Sequence, residues 1–190
     1  MSEEEYMRTA SVFIAASLDG FIARKDGSLD WLDKANTLAP AGEDCGYKAF
    51  MGSIDALVMG RNTFEKVLNF NCPWPYSEKH VVVLSSKEIA IPDDLKNMVS
   101  QASGSPKEIV EKLANKGLTR LYIDGGLTIQ KFLAADLIDR ITVTLVPVLI
   151  GEGISLFGSL PQDVSLTLIN SQAFDFGFVQ LTYQVLKDQQ

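Results

Sequence analysis

The 190-residue sequence predicts an α/β fold, a mostly parallel sheet flanked by helices and finished by antiparallel strands. Three observations predict it. Four short apolar runs, "SVFIAAS", "ALVMG", "HVVVLSS" and "RLYID", are nearly continuous rather than alternating, the pattern of strands buried on both faces. Helix-like segments separate them. From about residue 138 the pattern changes to long strands, and alternating strands and helices followed by a strand-rich tail describe a parallel sheet with an antiparallel end.

Each element has a local reason. "SVFIAAS" (Ser11 to Ser17) reads as a central strand, and "LDGFIARKDGSLDWLD" after it as a loop with two Asp-Gly turns, anchored by Trp31. From about Asp44 to Ser53, Tyr47, Phe50, Met51 and Ile54 fall at helical spacing. "ALVMG" is the second buried strand, and "NTFEKVLNF" a short helix. The prolines of "NCPWPY" force a loop. "HVVVLSS" (His80 to Ser86) is the third buried strand. Ser105 is an N-cap and Gly117 a stop for a helix between them. "RLYID" then turns directly into the helix of "GGLTIQKFLAAD". Residues 138–149, 164–173 and 177–186 read as strands, with "FDFGF" as the turn between the last two. No repeat or linker divides the chain, so residues 1–190 are expected to form one domain with an ordered core at about 11–186.

Composition narrows the function. With 46% hydrophobic and 22% charged residues the chain is long enough to bury a sizeable core. A net charge of -7 argues against sequence-independent nucleic-acid binding, which needs clustered cations. Cys45 and Cys72 have no metal-ligand or redox spacing and read as free thiols; no metal is expected. The start "MSEEEYMRTA" has no signal-peptide pattern, and no apolar run is long enough for a membrane span. A cytoplasmic protein without membrane partners is expected.

Ligands of open α/β sheets bind beyond the carboxyl ends of the strands. There the sequence places Gly60-Arg61-Asn62-Thr63 after "ALVM", Ser85-Ser86-Lys87 after "HVVVL", and Gly125-Gly126-Leu127-Thr128 after "LYID". Glycine admits close approach, helix-start N–H groups point outward, and hydroxyls or cations complete an anion shell. Any one junction has a plain geometric explanation. Three in one sheet suggest a dinucleotide across the strand ends. The absence of a Walker lysine loop and of G-x-G-x-x-G excludes an ATPase and a Rossmann dehydrogenase.

At these junctions the sequence resembles the dihydrofolate reductase superfamily, and most closely the branch of the reductase (RibD C-terminal) domain of bacterial riboflavin biosynthesis proteins. "FIAASLDGFIA", "VMGRNTFEKV", "VVVLSS", "LYIDGGLTIQKFL" and "LVPVLIGEGISLF" carry the likeness, in family order, from about residue 11 to 186. The resemblance implies a central eight-stranded sheet, NADPH as cofactor and a homodimer through the C-terminal strands. It implies that Gly60, Arg61, Asn62 and Thr63 bind phosphates, with Arg61 on the adenosine 2′-phosphate. Leu84, Ser85 and Ser86 would line the adenosine side near Lys87. Gly125, Gly126, Leu127 and Thr128 would hold the pyrophosphate, and Ala16 and Ile22 would border the nicotinamide.

For the substrate the resemblance singles out Asp44, 16 residues before Gly60, as proton source or anchor; a helix N-cap explains it equally. Trp31, Phe50 and Thr144 are candidates for the substrate side, and Glu152 in "IGEG" for a second acid, with a bare turn as its plainer explanation. Asp19 either closes the loop over nicotinamide or is an Asp-Gly turn. Phe21 stands where the riboflavin-type reductases carry a basic residue, which points to a flatter, more apolar substrate. The expected activity is NADPH-dependent reduction of a pteridine- or pyrimidine-type small molecule. The alternatives are a 5-amino-6-(5-phosphoribosylamino)uracil reductase of riboflavin synthesis and a non-catalytic nucleotide-binding protein.

Overall fold

The computed structural model describes residues 8–70 and 72–187. The acidic start of the chain and Asn71 of the "NCPWPY" loop lie outside the described residues. Ten strands and five helices follow one another in the order β1 (Thr9–Ser17), β2 (Phe21–Ala23), α1 (Asp30–Asn36), α2 (Tyr47–Ser53), β3 (Ala56–Gly60), α3 (Arg61–Leu68), β4 (His80–Leu84), β5 (Val99–Ala102), α4 (Pro106–Ala114), β6 (Arg120–Asp124), α5 (Gly126–Ala134), β7 (Arg140–Val146), β8 (Ile154–Ser155), β9 (Leu166–Ala173) and β10 (Val179–Val185).

Eight of the strands form one sheet in the order β5-β4-β3-β6-β1-β7-β10-β9, and β2 and β8 form a separate ribbon. The neighbours from β5 to β7 are parallel, while β7, β10 and β9 are antiparallel. The mostly parallel eight-stranded sheet with an antiparallel end is therefore present as expected.

Period-two alternation divides the buried side chains between two layers. Ala56 and Val58 of β3 and Leu121 and Ile123 of β6 pack with Ile109 of α4 and Phe132 of α5. Leu57 and Met59, with Tyr122, face the other layer, where Phe64 and Val67 of α3 pack and α2 adds Tyr47 and Phe50.

Four details differ from the sequence expectation. The "loop" around Trp31 contains β2 and the seven-residue helix α1, in which Trp31 is buried against Val146 and Phe178. β5 and β8 are further short strands that too few apolar residues announce. β7 ends at Val146 instead of 149, since Pro147 has no N–H to continue the ladder. β4 does not lead into a helix: Ser85 to Lys87 form a turn, in which Ser85 Oγ donates to the Lys87 carbonyl (2.6 Å) and accepts from the Lys87 N–H (3.1 Å). By contrast α4 begins with Ser105 as its N-cap, as expected, and Glu108 reciprocates to complete a capping box. Cys45 and Cys72 are free. No described helix is long and apolar enough to cross a membrane.

At the opposite end of the sheet Asp55 ties β3 to β6. It accepts from the N–H groups of Thr119 (3.0 Å) and Arg120 (2.8 Å) and from the Arg120 guanidinium (3.0 and 2.5 Å). The Arg120 hydrogen bonds, foremost, hold its carboxyl down at about 2. This folded-state value lies below the unfolded one, so the stabilisation is complete above about pH 4 and lost as pH falls toward 2. Asp55→Ala is expected to destabilise the fold by about 2 kcal/mol. Urea titrations at pH 7 and pH 3 check it: the gap between wild type and variant narrows at the lower pH.

Candidate active site at the strand ends

The site begins with strand adjacency. β3 and β6 are direct parallel neighbours, so the two helices that follow them, α3 and α5, start side by side. Neither helix start has a side-chain cap: the N-cap residues are Gly60 and Gly125, and no side chain bonds to the first N–H groups. A helix start leaves its first amides unsatisfied and carries partial positive charge. Two such starts therefore aim donors into one place.

The junctions also interlock. A methyl group at Gly60 would lie 3.1 Å from Thr128 Oγ1 of α5, and one at Gly125 would overlap Thr63 Oγ1 of α3. Each glycine thus makes room for the other junction's threonine hydroxyl. Gly125 has φ 86°, a conformation that costs any residue with a side chain. A methyl group at Gly126 would lie 3.1 Å from both Ile22 Cδ1 and the Ser155 carbonyl oxygen, so the β2–β8 ribbon packs against the α5 start.

The sequence-predicted cofactor residues converge here. Arg61 is the first residue of α3, held by Glu65 one turn on at 3.6 Å, with its head still partly exposed. Leu84 ends β4 opposite Gly60, which sets the Ser85-Ser86-Lys87 turn beside the α3 start. Gln101 donates to the Ser85 and Lys87 carbonyls (3.1 and 2.8 Å) and fixes that turn. Ala16 is buried near the end of β1, and Leu127 stands exposed at the α5 start. Uncapped amides, glycine cradles and a flanking arginine suit a phosphate-bearing dinucleotide.

On the α2 side of the sheet the residues are aromatic. Phe13 stacks on Phe50 at 4.8 Å, and Phe50 meets the edge of Tyr122 at 5.0 Å. Asp124, the last residue of β6, shares the Tyr122 face and accepts from the Gly125 N–H at 2.8 Å. Tyr122 donates its one O–H to the Phe13 carbonyl at 2.8 Å, and it stands beside the Asp124 carboxylate. Burial pushes the Asp124 carboxyl up to about 6, against the lowering by Gly125 and Tyr122. Tyr47, pushed up to about 12 mainly by burial, shares a hydrogen bond with Tyr76, and both feel the Asp124 charge. The sequence points to Phe50 as a substrate-side residue but not to Asp124 or the tyrosines around it, whose one local signal is an acid directly before "GG".

The remaining candidates are in different situations. Asp44 is exposed and accepts from the N–H groups of Gly46 and Lys48, both at 2.9 Å, at the start of α2. These bonds, that from Lys48 first, lower its pKa, and its carboxylate keeps acceptor oxygens open to solvent. Glu152 is ion-paired with Lys25 on the surface, beside a cavity of about 310 Å³ also lined by Arg24 and Asp26, away from the aromatic group. Thr144 is buried and accepts from Gln180 at 3.0 Å, while Gln180 also donates to the Cys45 carbonyl. Thr144 therefore ties the sheet to the segment before α2. Trp31 is a core residue whose buried indole N–H has no partner among the described residues. Asp19 accepts from Ser17 Oγ (2.6 Å) and from the Ile150 and Gly151 N–H groups (3.1 and 2.7 Å), clasping the loop after β1 to the loop after β7.

The RibD C-terminal domain family matches residues 8–180. An uncharacterised protein of Bacillus subtilis (strain 168), YwjB, is 32% identical over 178 residues, 93% of this chain and 97% of that protein. A crystal structure of a "Putative riboflavin biosynthesis protein" from Shewanella sp. PV-4 is 44% identical with a TM-score of 0.88, covering 94% of this chain and 99% of that one. Dihydrofolate reductase of Enterococcus faecalis, in complex with NADP(H), shares the fold at a TM-score of 0.62 and 16% identity, over 94% of this chain and 97% of the other.

The interlock makes a testable claim. Gly125→Ala is expected to cost about 2–3 kcal/mol, from the left-handed backbone and from overlap with Thr63. Adding Thr63→Ala removes the overlap and should recover about half. Urea denaturation of the double-mutant cycle reads the coupling, and strict additivity would dissolve the interlock.

Proposed function

The chain belongs to the RibD C-terminal domain family, and from that premise we propose that it is an NADPH-dependent reductase acting on a pteridine- or pyrimidine-type small molecule. The observation that carries this reading is the pair of uncapped helix starts on neighbouring strands, interlocked by Gly60, Thr128, Gly125 and Thr63. When bound, NADPH supplies the hydride.

The chain's own residues supply the rest. The first amides of α3 and α5 hold phosphate charge, and Arg61 offers a planar fork to a 2′-phosphate. Ala16 and Ile22 border the ring, with Asp19 holding their loop in place. Phe50 and its aromatic neighbours offer a flat apolar wall to a heterocycle. Asp124 is the proton source, because burial keeps its carboxyl near neutrality, whereas Asp44 is an ionised anchor. Catalysis is then mainly positioning beside the cofactor.

The name of the Shewanella relative favours a second reading, a part in riboflavin biosynthesis, for which the phosphoribosylaminouracil reductase step is the candidate. Phe21, in the β2–β8 ribbon, supplies no charge for a sugar phosphate there. A non-catalytic nucleotide binder is the third reading. A homodimer would cover β9, the edge strand, exposed along its whole length and carrying Leu166, Leu168 and Ile169.

Titration of the protein into NADPH, followed by its fluorescence, should show saturable binding, and Arg61→Ala should weaken NADPH at least tenfold more than NADH. Equal losses would reduce Arg61 to a structural residue. Turnover with dihydrofolate, a pterin or the riboflavin intermediate separates the enzyme readings from the binder. Light scattering tests the edge: wild type should have twice the chain mass, and Leu168→Glu should be monomeric.

A further inference from the structure

A buried carboxylate one residue from a phosphate site has a consequence for binding itself. Asp124 ends β6, and the next residue, Gly125, is the N-cap of the helix whose first amides face the cofactor cradle. The groups around the carboxylate come from three directions: Tyr122 from β6, Tyr47 from α2, and Tyr76 from the segment between α3 and β4. Thr63 of α3 stands over Gly125, and Met59 of β3 is the strand neighbour. All are uncharged at neutral pH. Among the described residues no cationic side chain sets the ionisation of Asp124.

We propose that Asp124 takes up a proton when NADPH binds, so that docking the cofactor loads the acid that the reduction consumes. The inference rests on the cofactor reading above. Electrostatics gives the reason. Phosphate charge placed at the α5 start raises the cost of a carboxylate that has no cation nearby, and the tyrosines around this half-buried group limit screening by water. The free carboxyl titrates just below neutrality, so a modest upward push converts it from mostly ionised to mostly protonated. The proton comes from solvent, Asp124 carries it as O–H, and it leaves to the heteroatom of the substrate as the neighbouring carbon accepts hydride. Linkage then requires NADPH to bind more tightly as pH falls through this range.

Calorimetry of NADPH binding at pH 6.5, in two buffers of different ionisation enthalpy, reads the proton count directly and needs no turnover. Wild type should take up a substantial fraction of one proton, and its affinity should rise about fivefold from pH 8 to pH 6 for a rise of one unit in pKa. Asp124→Asn should bind NADPH with that uptake abolished. Unchanged uptake in Asp124→Asn would assign the proton to the ligand's own phosphate and overturn the proposal. Binding without any proton uptake in wild type overturns it while leaving the cofactor reading standing. No binding at all overturns both.

Discussion

The strand ends depend on how closely β3 and β6 let two helices start. A parallel pair of strands is spaced by its hydrogen bonds, so the residues that follow must share very little room. Here each junction surrenders a side chain so that the other can insert a hydroxyl: Gly60 opposite Thr128, and Gly125 opposite Thr63. Larger residues would push the helices apart and turn their amides away from a common point. α4 shows the alternative. Ser105 and Glu108 close its start with their own side chains.

Charge is distributed to the same end. The chain is acidic overall, and several of its cations are held by acids away from the cradle: Arg24 by Asp30, Lys25 by Glu152, and Arg120 by Asp55. Positive potential at the cradle comes mainly from backbone, with Arg61 at one helix start and the Lys87 turn beside it. Backbone donors are fixed by the fold and need no reorganisation when an anion arrives. A net negative protein can therefore hold a polyanion without a basic surface.

The buried parallel strands were legible because burial on both faces leaves uninterrupted apolar runs, as in "ALVM" and "HVVVL". Their glycine-led junctions were legible because the backbone demands of a helix start are local. What escaped was either short or non-local. α1 hides in an Asp-Gly-rich stretch with Trp31 as its main apolar contact, and β5 reads "VSQA" with half its positions polar. Tyr47, Tyr76, Tyr122 and Asp124 come from three segments of the chain. Only folding brings them together, so no spacing could reveal them.

That difference also separates Asp44, which sequence position singles out, from Asp124, the proton source in the proposed reaction. Asp44 lies where a helix begins, and a helix start attracts an acid for its own needs: two backbone N–H groups hold it ionised. Asp124 also touches a helix start, but accepts one backbone bond there and is otherwise enclosed by rings. Hydrogen bonds and burial act in opposite directions on a carboxylate, and the balance decides whether it can carry a proton. At Asp44 the bonds prevail over slight burial. At Asp124 burial prevails over the bonds. Sequence position favoured the first, and the proposed proton delivery calls on the second.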